Sequence, residues 1–366
     1  MLSAGRVALF VAPFLVASLS AETFEDLSAR ATAARESNNL PEAVKLYREA
    51  LQLNPQWQAG WWFLGTILYD TNEYTGCRDA LTHVVQLKDS VAPAWGILGL
   101  CEFQTHDYAH ALTHIQRSFS LGALDQPELE KVLRYHEAIL LTHAGEFDRA
   151  LQKFVWFLRG SMPTPILLTA LGLAALRAPL LPDDVPVEKR DLYVMAGTAA
   201  FYQMSGDIAH AQQAMQTLLQ RYPSAHHVHY LYACSLLAAD PERAIDEFER
   251  ELRNTPDSEG TLTMLSWALL NRGDAASARP YAQRAVTNDA LSTLAQYVYG
   301  RSLVETGDVE AGIKYLEKAE RSDPENLEYH LALASAYPKA RRYDDARRER
   351  RRALELARNT GAGAQR

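Results

Sequence analysis

The chain has 366 residues, 48% of them hydrophobic and 22% charged. It is long enough for two ordinary domains or one extended array, and too apolar to be disordered throughout. The net charge of -8 weighs against general nucleic-acid binding, which needs Lys and Arg to neutralise phosphates.

The first element is residues 1–20. Arg6 is the only charge before Glu22, and the apolar run VALFVAPFLVASL follows, closed by the small residues Ser18 and Ser20. This is the pattern of a secretory signal peptide cleaved near Ser20. Thirteen helical residues span about 20 Å, short of the roughly 30 Å of bilayer hydrocarbon, so an uncleaved anchor is the weaker alternative. No cysteine follows the apolar run, which argues against a lipoprotein anchor. The expected location is a bacterial periplasm or the exterior.

From residue 24 one pattern keeps returning. Trp61, Leu64 and Gly65 are followed 34 residues later by Trp95, Leu98 and Gly99. A second signal alternates with it: NLPEAVKLYREALQLNP ending at Pro55, GEFDRALQKFVWFL at 145–158 and GDIAHAQQAMQTLLQRYP ending at Pro223. DPERAIDEFERELRNTP ending at Pro256, GDAASARPYAQRAV at 273–286 and GDVEAGIKYLEKAERSDP ending at Pro324 continue it. Glycine or Gly-Asp suits a turn between two helices, the alanine five residues on permits close helix approach, and proline closes the unit. Unit starts fall near 24, 58, 92, 131, 192, 226, 259, 293 and 327.

This pattern resembles the tetratricopeptide (TPR) repeat, in which W-x-x-L-G opens the first of two helices in a 34-residue unit. The resemblance implies an all-α TPR solenoid, a right-handed superhelix of helix–turn–helix repeats with a concave face. Some units depart from the consensus: Arg30 replaces an apolar first-helix leucine, and Cys77 and Gly312 replace the alanine. The expected division is a signal peptide at 1–20, about four repeats at 21–157, an irregular bridge at 158–191, about five repeats at 192–358 and a flexible tail at 359–366.

In the bridge, Pro163 and Pro165 suit a helix start, and an apolar helix of about 12 residues runs to Arg177. Pro179, Pro182 and Pro186 then forbid a regular second helix. The segment reads as a repeat that kept its first helix and lost its second. It serves either as a buried bridging helix or as a docking latch with exposed leucines; it is short for a membrane span.

In TPR proteins the groove is lined mainly by first-helix positions 2, 5, 9, 12 and 13. Counting from the unit starts puts Trp62, Tyr135, Tyr230 and Tyr297 at position 5. Tyr69 and Phe103 fall at position 12, Tyr193 at position 2 and Trp267 at position 9. These eight aromatics are the candidate partner-binding residues, since rings bury much area at low entropic cost. Thickening of the core is the competing reading. Position 9 carries no Asn, which disfavours the carboxylate clamp that some TPR groups use.

Cys77, Cys101 and Cys234 are too scattered for a disulfide framework and lack zinc-site spacing. They read as small buried residues at helix contacts, although one pair could close in an oxidising compartment. His106, His110 and His114 read as a turn residue and two solvated surface residues, with no acidic partner at ligand spacing, and no metal or cofactor is expected. His226, His227 and His229 take surface or groove roles. Arg347, Arg348, Arg350, Arg351 and Arg352 give the last helix a solvated basic face. Membrane contact is expected only through that helix or an uncleaved signal. No catalytic motif is present, and repeats fill nearly the whole mature chain. The expected function is a non-catalytic scaffold for a protein or peptide partner. The alternatives are an envelope or secretion-machinery assembly factor, and a glycan- or small-molecule-binding accessory subunit.

Overall fold

The computed structural model describes residues 22–122, 124–158 and 163–363, with the side chains of 360–363 excepted. The expected signal peptide and the end of the expected tail lie outside the described residues. The described residues are helical with no strand. They form two compact units that divide between Glu137 and Ala138, ahead of the expected bridge.

In the N-terminal unit the helices come in pairs. These are α1 (Phe24–Glu36) with α2 (Leu40–Leu53), α3 (Gln58–Asp70) with α4 (Tyr74–Leu87), and α5 (Ala92–Gln104) with α6 (Tyr108–Ser120). The unit boundary falls within α7 (Pro127–His143). The second helices are strongly amphipathic, and each buries one face: Ala43, Leu46, Tyr47 and Ala50 in α2, and Cys77, Ala80, Leu81 and Val84 in α4. With Leu64, Leu68 and Leu98 of the first helices they make one continuous core. The turns inside the pairs place Asn38, Asn72 and His106 in the left-handed region, at φ 56°, 62° and 61°.

After the end of α7, the C-terminal unit continues with α8 (Phe147–Phe154) and α9 (Pro165–Ala175). Regular pairing then resumes with α10 (Arg190–Ser205) and α11 (Ile208–Arg221), and with α12 (Val228–Leu236) and α13 (Pro241–Asn254). It continues through α14 (Glu259–Asn271) and α15 (Ala275–Asn288), α16 (Thr293–Glu305) and α17 (Val309–Ser322), and α18 (Leu327–Ala336) and α19 (Tyr343–Gly363). Asp207, Asp240 and Asp274 cap α11, α13 and α15 by accepting from the backbone N–H three residues on. Phe248, Leu265, Val298, Ile313, Leu316 and Leu333 centre the core.

The helix of the bridge, α9, is largely buried, whereas the segment after it is mostly exposed. Thr164 caps α9, Pro165 occupies its first turn, and Leu168, Leu171 and Leu173 are buried while Ile166 stays exposed. The prolines that follow permit only short 3₁₀ turns at Pro182–Asp184 and Val187–Lys189. Of the two readings, the packed helix is the one observed. Its partner is α10, and the two backbones touch. A Cβ on Gly172 would lie 1.9 Å from the Tyr193 carbonyl oxygen, and one on Gly197 would lie 1.9 Å from that of Leu168.

The tryptophan that opens the repeat has a specific task. Trp61 Nε1 donates to the carbonyl of Pro55 at 2.9 Å, and Trp95 Nε1 to that of Asp89 at 2.7 Å. In the C-terminal unit the same register position holds other donors: His229 Nε2 to Pro223 (3.0 Å), Gln296 Nε2 to Ala290 (2.6 Å) and His330 Nε2 to Pro324 (3.0 Å). Each bond reaches six residues back, to the segment that enters the repeat. It satisfies a carbonyl with no helical partner and fixes the entry angle. Trp61 is half-buried, not fully enclosed, and its outer face stacks on His83 at 4.0 Å between centroids.

Candidate functional site

The first helices α14, α16 and α18 together form a cleft of about 320 Å³. Its lining residues, Asn271, Tyr297, Arg301, Glu305, Glu328, Ser335 and Lys339 among them, sit at repeat positions 2, 5, 9 and 13, where the resemblance places a groove. Arg301 organises the centre. Its Nη1 donates to Asn271 Oδ1 at 3.1 Å and to the Tyr297 hydroxyl at 3.4 Å, and its Nη2 pairs with Glu305 at 3.3 Å. Leu331, 46% exposed, adds an apolar contact point among these charges.

The eight expected aromatics divide. Tyr193, Tyr230 and Tyr297 are each less than a tenth exposed. Tyr230 and Tyr297 belong to the core of the C-terminal unit, and each still lines a cleft with part of its ring. Tyr297 packs against Tyr329, with ring centroids 4.9 Å apart and the planes tilted by 41°, and forms the floor of the cleft. Burial raises the pKa of all three phenols, so they stay neutral at physiological pH. Trp267 is half-buried against the same core. In the N-terminal unit Trp62, Tyr69, Phe103 and Tyr135 are half-buried and present a partial face. Tyr69 packs on Tyr74, and Phe103 packs on Tyr108 and His136, with Tyr135 also against His136. Burial lowers the His136 pKa, and its Nδ1 lies 2.8 Å from the Val132 carbonyl.

The histidines are more engaged than their spacing implied. His106 does sit in the turn. His114, however, is bound to the buried Glu102 at 2.7 Å, a partner twelve residues away that linear spacing concealed, and His110 pairs with Asp107 three residues before it at 2.9 Å. His229 pairs with Glu247 at 2.6 Å and His330 with Glu349 at 2.7 Å. Among the described residues no three His, Cys, Asp or Glu side chains are placed to hold a metal ion, and no helix is long and apolar enough to cross a membrane.

Cys77 and Cys101 form a disulfide between α4 and α5, with Cα atoms 6.2 Å apart. They are therefore not merely small packing residues. Cys234 is free, and burial pushes its thiol up to about 12. On α19 the arginines face acids: Arg347 pairs with Asp344, Arg348 with Asp345 at 2.7 Å, and Arg352 with Glu325 and Glu355. The polar groove residues Asn271, Glu305 and Lys339 were missed by the search for aromatics, although each occupies a groove position in the repeat count.

A sequence profile described as Tetratricopeptide repeat matches residues 194–259, 263–326 and 297–360, and a second profile of the same description matches residues 24–57. No curated protein matches the chain. Among solved structures, the chain is similar to "MamA 41-end from Desulfovibrio magneticus RS-1" at 20% identity and a TM-score of 0.41, over 46% of this chain and 96% of that one. It is similar to YrrB, described as a TPR protein with an unusual peptide-binding site, at 20% identity and a TM-score of 0.38, over 43% and 82%. A "MamA RS-1 ArsTM double mutant" is 19% identical with a TM-score of 0.41, over 47% and 97%. The matched repeats lie on both sides of the bridge and together span more than half of the sequence, and the chain belongs to the tetratricopeptide repeat family.

Proposed function

We propose that this protein is a non-catalytic interaction scaffold, exported from the cytoplasm, whose first-helix face holds an extended segment of a partner protein. The observation that carries this reading is the cleft over α14, α16 and α18. It runs across three successive repeats and offers charges of both signs, Arg301 and Lys339 beside Glu305 and Glu328. Packed helices lie roughly 8–10 Å apart, which an extended chain covers in about three residues, so one such segment can meet each helix in turn. The half-buried rings of Trp62, Tyr69, Phe103 and Tyr135 offer further anchoring surface in the N-terminal unit.

Export to a bacterial periplasm or beyond is supported by the Arg6–apolar–SLSA pattern. The Cys77–Cys101 disulfide supports it independently, because such bonds persist in oxidising compartments. The test of the groove is photo-crosslinking of the full chain in envelope extracts. A benzophenone amino acid is placed at Leu331 in the cleft and, as a control, at the exposed Leu354 of α19. One dominant adduct from Leu331, lost when Arg301 is replaced by Ala and absent from Leu354, is the expected result. Identical adducts from both positions would sink the reading. For export, the soluble protein should begin near Ala21, and intact Met1 would refute cleavage.

A further inference from the structure

At the other end of the C-terminal unit, a cleft of about 270 Å³ is lined on one side by residues of α8 and α9. Its walls are mainly apolar and include Met204 and Met264, side chains that adapt to irregular shapes. Asp148 and Gln203 are polar, and the cation of the cleft is Arg177, just past the end of α9. Its backbone adopts φ 50°, in the left-handed region, which is uncommon for a residue with a side chain. Its guanidinium lies against the Phe147 and Tyr230 rings at 5.1 and 5.5 Å. Room for it exists because residue 260 is glycine: a Cβ there would lie 3.0 Å from Arg177 Nε.

An arginine held this firmly for structural reasons normally forks onto a carboxylate with short paired bonds. Arg177 does not. Only Nη1 is engaged, at 3.4 Å to Asp148 and 3.3 Å to the Tyr230 hydroxyl, both long for hydrogen bonds. The Asp148 side chain is 75% exposed, so little holds it in place. Nε and Nη2 thus remain available to a planar anion at the mouth of an apolar cleft.

We infer that this cleft binds a small carboxylate with an apolar body, the anion forked on Arg177 and the body packed between Met204 and Met264. The site is separate from the α14–α18 cleft and does not depend on the partner-binding reading. Titration calorimetry on the full chain tests it with phenylacetate and hexanoate, each beside its neutral amide. The acids should bind about tenfold or more tightly than the amides, since a charge-assisted hydrogen-bond pair is lost. Arg177→Gln should remove that preference. If Arg177→Gln does not fold, Met264→Trp fills the cleft while keeping the arginine in the chain and should abolish binding of both acids. An acetylated tetrapeptide with a free C-terminal leucine is the final arm. Binding of the peptide without binding of the small acids would overturn the inference in favour of a chain terminus. Equal affinity for acids and amides, binding that survives Met264→Trp, or no binding at millimolar concentration would also overturn it.

Discussion

The N-terminal unit ties its repeats with indoles and a disulfide, whereas the C-terminal unit uses imidazoles and an amide at the same register position. Trp61 and Trp95 do the work that His229, Gln296 and His330 do further along, each reaching a carbonyl six residues back. The geometry requires only an N–H at the right distance, but the choice of donor decides what the unit responds to. An indole never titrates. His330 is 3% exposed, and its two nitrogens face the Pro324 carbonyl and the Glu349 carboxylate. Both partners accept, so the fully bonded ring carries two protons. Burial works against that charge, but the carbonyl and the carboxylate outweigh it and hold the pKa above its usual value. The two units should therefore answer to different chemical perturbations, which hydrogen exchange read separately over each unit can register.

The largest expected effect lies in the C-terminal unit. Gly197→Val drives a side chain into the Leu168 carbonyl, and the loss should exceed the roughly 1–3 kcal/mol usual for overpacking. Protection should fall across α9 and α10 and stay unchanged in α1–α6. Equal loss in both units would remove the distinction between them. The reverse experiment is Cys77→Ala with Cys101→Ala. For a sequence separation of 24 residues, the lost cross-link should destabilise the N-terminal unit by roughly 3 kcal/mol and leave the C-terminal unit untouched. A melt of that unit indistinguishable from the parent would show that the bond contributes nothing there.

Smaller changes sharpen the comparison at the shared position itself. Trp61→Phe keeps a ring to stack on His83 but removes the bond to Pro55, and should cost the N-terminal unit about 1 kcal/mol. The smallest effect is that of pH. With its folded pKa raised, His330 contributes stability that is complete below the unfolded value of about 6.5. That contribution is lost as pH rises through the higher folded value. The thermal midpoint of the C-terminal unit should therefore fall as pH rises above about 6.5. His330→Gln, which copies Gln296, should flatten that slope; a variant slope equal to the parental one would mean the ring is neutral in the fold.

The repeat count was legible because it rests on spacing. Helices begin at Phe24, Gln58, Ala92, Glu259, Thr293 and Leu327, where the pattern put unit starts. Local chemistry shifted the others. Pro127 opens α7 four residues before the expected 131, with Glu128 and Glu130 in its favourable first turn. His227 delays α12 because its backbone is left-handed and its N–H is held by Glu251. The disulfide was not legible, since Cys77 and Cys101 face one another only once two neighbouring helix pairs are stacked. The bond that reaches six residues back was hidden because Trp, His and Gln share an N–H and little else. Arg177 belongs to no repeat, so no count could place it. The depth of Tyr297 was not legible, because its ring is covered by the core and by Tyr329 of the next repeat.

Under tension, a stack of repeats yields from its ends, each helix pair releasing its length as it comes away. The cross-link from α4 to α5 changes that order. The segment between Cys77 and Cys101 holds the turn joining two repeats, and its separation of 24 residues corresponds to about 80 Å of extended chain. None of that length can be drawn out while the bond is intact, however far the neighbouring helices unravel. In an oxidising environment that length stays locked inside the N-terminal unit, and a thiol reductant would release it for extension.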